Sequence, residues 1–339
     1  MSKRQLVYQP DELMLDHPFD EPQMVNGVRL HGGFIGGVYQ SPRSLVRSRA
    51  IEAWSESLCN RGGAPLEAGS SLLQGVRVPN SSQQMVLVRN GLDETFWNSF
   101  TIIGKLEARG RLLAEMEFPH LQDSIVDDIS AMAIGHLHKG LLLAHGLDEG
   151  GQPSEGIGGH DAMWFVARDL VFGPDAHPDV DPPENIGRPV SEDKVHMGVP
   201  AEAEGLVSLL ANLLIIEFRA ELGFADTQAV LRNPELFADR RSEAAIAAEV
   251  VERIRTDELL HVESLRLYLV ELRTVSFQSD SGHPVAGSDL IDSLWSDLVH
   301  WAAVEQPALV ADQQQSLIEH RIAKHPEADR VLSEFRAAA

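Results

Sequence analysis

The segment AAEVVERIRTDELLHVESLRLYLVEL, residues 247–272, constrains the fold most strongly. Val251, Ile254, Glu258, His261, Leu265 and Tyr268 recur at steps of three and four, the spacing that lines residues along one face of an α-helix. The stripe is apolar except at Glu258 and His261. A carboxylate and an imidazole inside a buried face need partners, because isolated buried charge costs several kcal/mol. A metal ion is one such partner, and a buried ion pair or a capped core histidine is the alternative.

Glu-x-x-His sets both side chains one helical turn apart and pointing the same way, which suits a carboxylate oxygen and a ring nitrogen on one ion or on two neighbouring ions. The same spacing returns at Glu117 and His120 in RLLAEMEFPHLQD, where it continues an apolar stripe of Ile103, Leu106, Gly110 and Leu113. Pro119 lies inside this second motif and either bends the helix or makes the spacing accidental. A further contribution comes from LLANLLIIEFRAELGF: Glu217 follows a nearly unbroken apolar run, and Glu221 lies one turn on, beside Leu210, Leu213 and Leu214. Carboxylates bridging two metals explain them, with an interhelical salt bridge to Arg253 or Arg109 as the alternative.

Spacing alone discriminates weakly. Random placement would put an acid three residues before a histidine about twice, and the chain does so five times, at Glu117, Asp193, Asp280, Asp297 and Glu258. Burial of the stripe is what separates Glu258 from Asp193 and Asp280, which lie in loop-like segments, and from Asp297, on a peripheral face.

These pieces resemble the ferritin-like diiron carboxylate superfamily, in which a glutamate on one helix and Glu-x-x-His on the next are repeated in a second half. The resemblance covers the second half best, as Glu217 or Glu221 followed by Glu258-Leu-Leu-His261. It implies metal-ligand roles for Glu117, His120, Glu217, Glu221, Glu258 and His261. The first half departs from the pattern: Glu52 and Glu56 lie far back, Glu107 shares its helix with Glu117, and the sixth ligand is unassigned. Gly135-His136-Leu137-His138 and His145 offer substitutes, whereas His160-Asp161 and His177 read as loop residues. The resemblance further implies two iron ions, or manganese or a mixed pair, and an oxidase or oxygenase acting on a small organic substrate with dioxygen and a reductant protein. A homo-oligomer is expected. The competing readings are a non-catalytic helical assembly or partner-binding protein with buried Glu/His ion pairs, and a metal-storage or peroxide-removing protein.

The expected architecture is all-α. An irregular N-terminal arm over 1–92 carries a helix at 41–59 and a small hairpin within 74–90. A ferritin-like bundle over 93–275 follows, with helices at 93–123, 127–145, 206–224 and 242–275 and a Gly/Pro-rich insertion at 150–205 that reads as a lid or substrate-entry wall. A C-terminal extension over 276–339 adds helices at 288–304 and 307–323.

Charge and cysteine usage narrow the partners. With 28 basic against 51 acidic residues and a formal charge of −23, the chain would repel nucleic acid and anionic lipid. Cys59 is the only cysteine, so no intrachain disulfide, thiolate zinc site or iron–sulfur cluster can be built. The start MSKRQLVYQPDELMLD lacks the apolar run of a signal peptide, and 206–216 is too short to span a bilayer, so the cytoplasm is the expected compartment.

Overall fold

A computed structural model describes residues 8–73, 75, 77–188, 198–279 and 281–339, with His138 and Lys139 described in their backbone only. The chain is mostly helical. It opens, however, with an antiparallel meander of β1 (Glu21–Val25), β2 (Val28–Ile35) and β3 (Val38–Gln40) where an irregular arm was expected. The turns explain it. Asn26-Gly27 and Gly36-Gly37 all take positive φ, the conformation that two-residue hairpin turns require and that Gly and Asn adopt most easily. The sheet is pinned to the rest of the chain through its backbone: His31 donates to the carbonyl of Gly158, and Gly158 donates to that of Arg29.

Helix α1 (Ser44–Asn60) follows, and then α2 (Ser81–Arg89) occupies the place of the expected hairpin. Local chemistry overrides the β-branched composition there. The Asn80 side chain accepts from the Gln83 amide while the Gln83 side chain accepts from the Asn80 amide, a complete capping box.

The helix expected over 93–123 is broken. α3 (Glu94–Gly110) is followed by the single turn α4 (Leu112–Glu115), and Met116 is already extended. Pro119 lacks an amide donor and disfavours helix at Phe118, so the helical period cannot be cashed in beyond this point. The next expected helix is also replaced: a 3-10 segment spans Ala133–Lys139, and α5 (Leu141–Gly150) runs past Gly146. The insertion contributes a core helix, α6 (His160–Phe172); its residues 189–197 lie outside the described residues.

Two long helices, α7 (Ala201–Arg232) and α8 (Arg241–Arg273), pack against each other and contribute to both large apolar clusters of the core. A short β4 (Ser276–Phe277) and β5 (Val285–Ala286) lead to α9 (Gly287–His300), a π-helical turn (Trp301–Glu305), α10 (Gln306–Ile322) and α11 (Ala328–Ala337). Among the described residues no helix is long and apolar enough to cross a membrane.

The site is placed by a division of the core. Along α8, Ala244 to Ile254 pack into one apolar cluster with α3 and α6, while Leu260 to Leu272 pack into another with α1, α7 and α9. Asp257 and Glu258 fall at the seam between them. On α7 the division falls between Phe218 and Phe224, and Glu217 lies at its edge.

Candidate metal centre

At that seam, ionisable side chains from α3, α5, α6, α7 and α8 converge. Two overlapping sets place their donor atoms within 4.8 Å of one another: His145, Glu149, Glu217 and His261, and Glu149, His160, Glu258 and His261. Every member is buried. On the α7–α8 side, Glu217 Oε1 lies 3.0 Å from His145 Nε2, and Glu258 Oε2 lies 2.7 Å from His261 Nδ1. Glu149 stands in the middle, with Oε1 3.4 Å from His145 Nε2, 3.2 Å from His261 Nδ1 and 3.6 Å from His160 Nδ1. The half-buried Glu107 of α3 presses its carboxyl against Glu149.

Close backbone approach allows this crowding. A Cβ on Gly110, at the end of α3, would lie 2.6 Å from Cγ of Glu149, and one on Gly146 would lie 2.4 Å from the amide nitrogen of Ala114. Glycine at both positions lets α3 and α4 reach α5.

Behind the donors stands a ring of supporting groups. His261 turns Nε2 to Asp148 at 3.2 Å, and fully buried Asp148 is paired with Arg43 and, at 2.8 Å, with Arg47 of α1. His160 turns Nε2 to Asp257 at 3.3 Å; the same carboxylate oxygen faces His31 Nε2 at 3.0 Å and accepts from the Tyr39 hydroxyl at 2.9 Å. The N-terminal sheet is thus part of the centre. A ring nitrogen held by a carboxylate leaves the opposite nitrogen directed at the cluster, which is how metal-binding histidines are oriented.

Crowding sets the protonation pattern. Burial and the charge of Glu258 push Glu217 up to about 8, against the pull of His145 and His261. Glu107 is raised well above the usual carboxylate range by burial and by Glu149 beside it. Burial would raise Glu258 too, but His261 and His160 outweigh it and the repulsion of Glu149, and hold Glu258 down at about 2. Glu149 is likewise held low against burial by the Glu107 carboxyl and by the imidazoles of His145, His160 and His261 around it. Burial disfavours charge on His160 and His261, yet Glu258 and their other acidic neighbours raise both well above the usual imidazole range.

The donor set fits divalent first-row metals. It offers imidazole nitrogen and carboxylate oxygen without thiolate, the combination suited to iron, manganese and similar ions. Among the buried atoms of the described residues without a hydrogen-bond partner is His160 Nδ1, which sits 3.1 Å from Glu258 Oε1 and 3.6 Å from Glu149 Oε1. A cation between the three groups would satisfy it. His31, His160 and Asp257 form a third possible grouping, but the contacts to Asp257 already read as hydrogen bonds.

The structure brings Glu217, Glu258 and His261 together. It also brings in His145, one of the substitutes offered for the unassigned ligand, but not Glu117, His120, Glu221 or His136. Glu117 and His120 are exposed in the irregular segment after α4, because the helix that would have carried them ends at Glu115. Glu221 is half-buried and belongs to neither donor set. His136 packs on Trp54 and makes a hydrogen bond with the Ser130 carbonyl. His160, read as a loop residue, opens α6 and faces the cluster; Glu107 was set aside for sharing its helix with Glu117, and Asp148, Glu149 and Asp257 were not singled out at all. A signal was present: His145-x-x-Asp148-Glu149 and Asp257-Glu258-x-x-His261 both set a histidine three residues from an Asp-Glu pair, before it in the first and after it in the second.

No protein-family model, curated protein or solved structure matches the chain.

Proposed function

We propose that this cluster is a dinuclear centre of the ferritin-like carboxylate type, and that the protein is a non-haem diiron, or manganese/iron, oxidase or oxygenase acting on a small organic substrate. One observation carries the dinuclear reading. The rings of His145 and His261 stack with centroids 3.7 Å apart and planes 11° apart. An imidazole binds a metal in its own ring plane at about 2.1 Å. Two nearly parallel planes this far apart cannot both aim at one ion, so each ring needs its own cation, with Glu149 between them.

The order of the donors supports the family reading. Glu107 on α3 is followed by His145 and Glu149 on α5, and Glu217 on α7 by Glu258 and His261 on α8, which matches the alternation of a lone glutamate with a Glu/His helix. On α5 the histidine precedes its glutamate, and His160 is an additional imidazole.

Bound iron would supply oxygen activation; the chain supplies the rest. Glu149 holds the two halves together. Asp148 and Asp257 orient His261 and His160, and Arg43 and Arg47 compensate the charge of Asp148. The apolar layers on either side, including Ile254 and Leu265, exclude water and so strengthen every charge interaction within.

Anaerobic loading with ferrous iron tests the reading by elemental analysis and by oxygen uptake on admitting air. Two irons per chain with oxygen consumption are expected, both lost in Glu149→Ala and Glu258→Ala. Metal-free protein whose thermal stability ignores iron would refute it in favour of an assembly protein with buried ion pairs. Uptake of many irons per chain would favour storage instead.

A further inference from the structure

We propose that the two halves of the centre are unequal, so that a divalent first-row cation fills the half built from His160, Glu258 and His261 before the half built from His145 and Glu217. The inference rests on the dinuclear reading above and adds an order of filling to it.

Ring stacking separates the donors. Because His145 and His261 cannot serve one ion, His261 belongs with the group its Nδ1 approaches most closely, Glu258 at 2.7 Å. His160 Nδ1 lies 3.1 Å from the same glutamate. Glu107 also neighbours Glu258 and His160. One half therefore holds two imidazoles and Glu258. The other holds His145 with Glu217, 3.0 Å apart. Glu149 is shared and does not discriminate between them.

Bracing separates the halves further. Both imidazoles of the first half have the far ring nitrogen held by a fully buried aspartate, His261 by Asp148 and His160 by Asp257. Each aspartate is itself fixed from a distant part of the chain: Asp148 by Arg43 and Arg47, Asp257 by His31 and Tyr39 of the N-terminal sheet. His145 has no such support. Its Nδ1 is buried and has no hydrogen-bond partner among the described residues. An imidazole without a carboxylate behind it is less well oriented and a poorer ligand, and losing such a partner typically weakens metal binding by about 10–100-fold. Donor count and bracing favour the same half.

Manganese(II) is the probe, titrated into metal-free full-length protein and followed by the electron paramagnetic resonance of the free ion and by calorimetry. Two steps are expected, with dissociation constants at least about tenfold apart. His145→Ala should abolish the weaker step and leave one tight manganese per chain. Asp257→Asn should weaken the tight step by about 10–100-fold, so that the two steps approach each other. Tyr39→Phe removes only one of the groups that hold Asp257 and should shift the same step, by less, in a protein whose circular dichroism is unchanged. Two manganese ions bound with equal affinity, or loss of both steps in His145→Ala, would overturn the unequal filling while leaving a dinuclear centre standing. Absence of stoichiometric binding by the wild-type protein would overturn both.

Discussion

Glu271→Gln should remove a pH dependence of stability whose size can be worked out from the structure. Glu271 lies on α8, away from the metal centre, with its side chain fully buried. Burial pushes its carboxyl up to about 7, against the amides of Ile134 and Ala133 and the guanidinium of Arg61 at 3.5 Å. In the unfolded chain the same group titrates near 4.5. The folded state therefore binds the proton more tightly. Its stabilising contribution is fully present below about 4.5 and is lost as pH rises through about 7. At 1.36 kcal/mol per pKa unit, the loss amounts to about 3 kcal/mol. Glutamine mimics the neutral acid, keeps an oxygen for the Ile134 amide and cannot ionise. Urea denaturation of both proteins between pH 5 and pH 8 isolates the effect, because other titrating groups cancel in the difference. The wild type should lose stability relative to Glu271→Gln across that range, by an amount on the order of 2–3 kcal/mol. A difference that stays flat with pH would show that Glu271 is ionised throughout and would falsify the burial argument.

Gly110→Ala places a methyl group 2.6 Å from Cγ of Glu149, so the shared carboxylate has to move; iron bound per chain should fall below two while the far-ultraviolet circular dichroism is retained, and full loading would contradict the packing argument. Arg47→Leu leaves the buried carboxylate of Asp148 with Arg43 as its only guanidinium beside the His261 ring and should cost about 3–5 kcal/mol by urea denaturation, because a buried charge loses a charged partner. A loss no larger than that of a surface substitution would mean that Arg43 suffices. Asn80→Ala breaks the capping box of α2 and should lower stability by about 1 kcal/mol; an unchanged denaturation midpoint would show that α2 is held by packing on α11 instead.

Much of the helical framework is legible along the chain because helical order is local. The period of 3.6 residues alone puts Glu258 and His261 on the same face as Ile254 and Leu265, and the apolar run before Glu217 marks that glutamate as buried. Turn chemistry is equally local: Asn26-Gly27 and Gly36-Gly37 carry the signal for the sheet, although their glycines read as an irregular arm. What folding in three dimensions adds is which faces meet. Glu149 and His160 are unremarkable in their own segments, Glu107 and His145 are only passing candidates in theirs, and they become a cluster because Gly110 and Gly146 let helices approach and because the helix breaks off before Pro119. The same break carries Glu117 and His120 out to solvent despite their spacing. Asp257 depends on His31, 226 residues away, and no local pattern encodes a contact at that separation. Periodicity reports the direction in which a side chain leaves its own helix, whereas a metal centre depends on donors from several elements pointing at one place, and their relative placement is decided by the packing of the whole core.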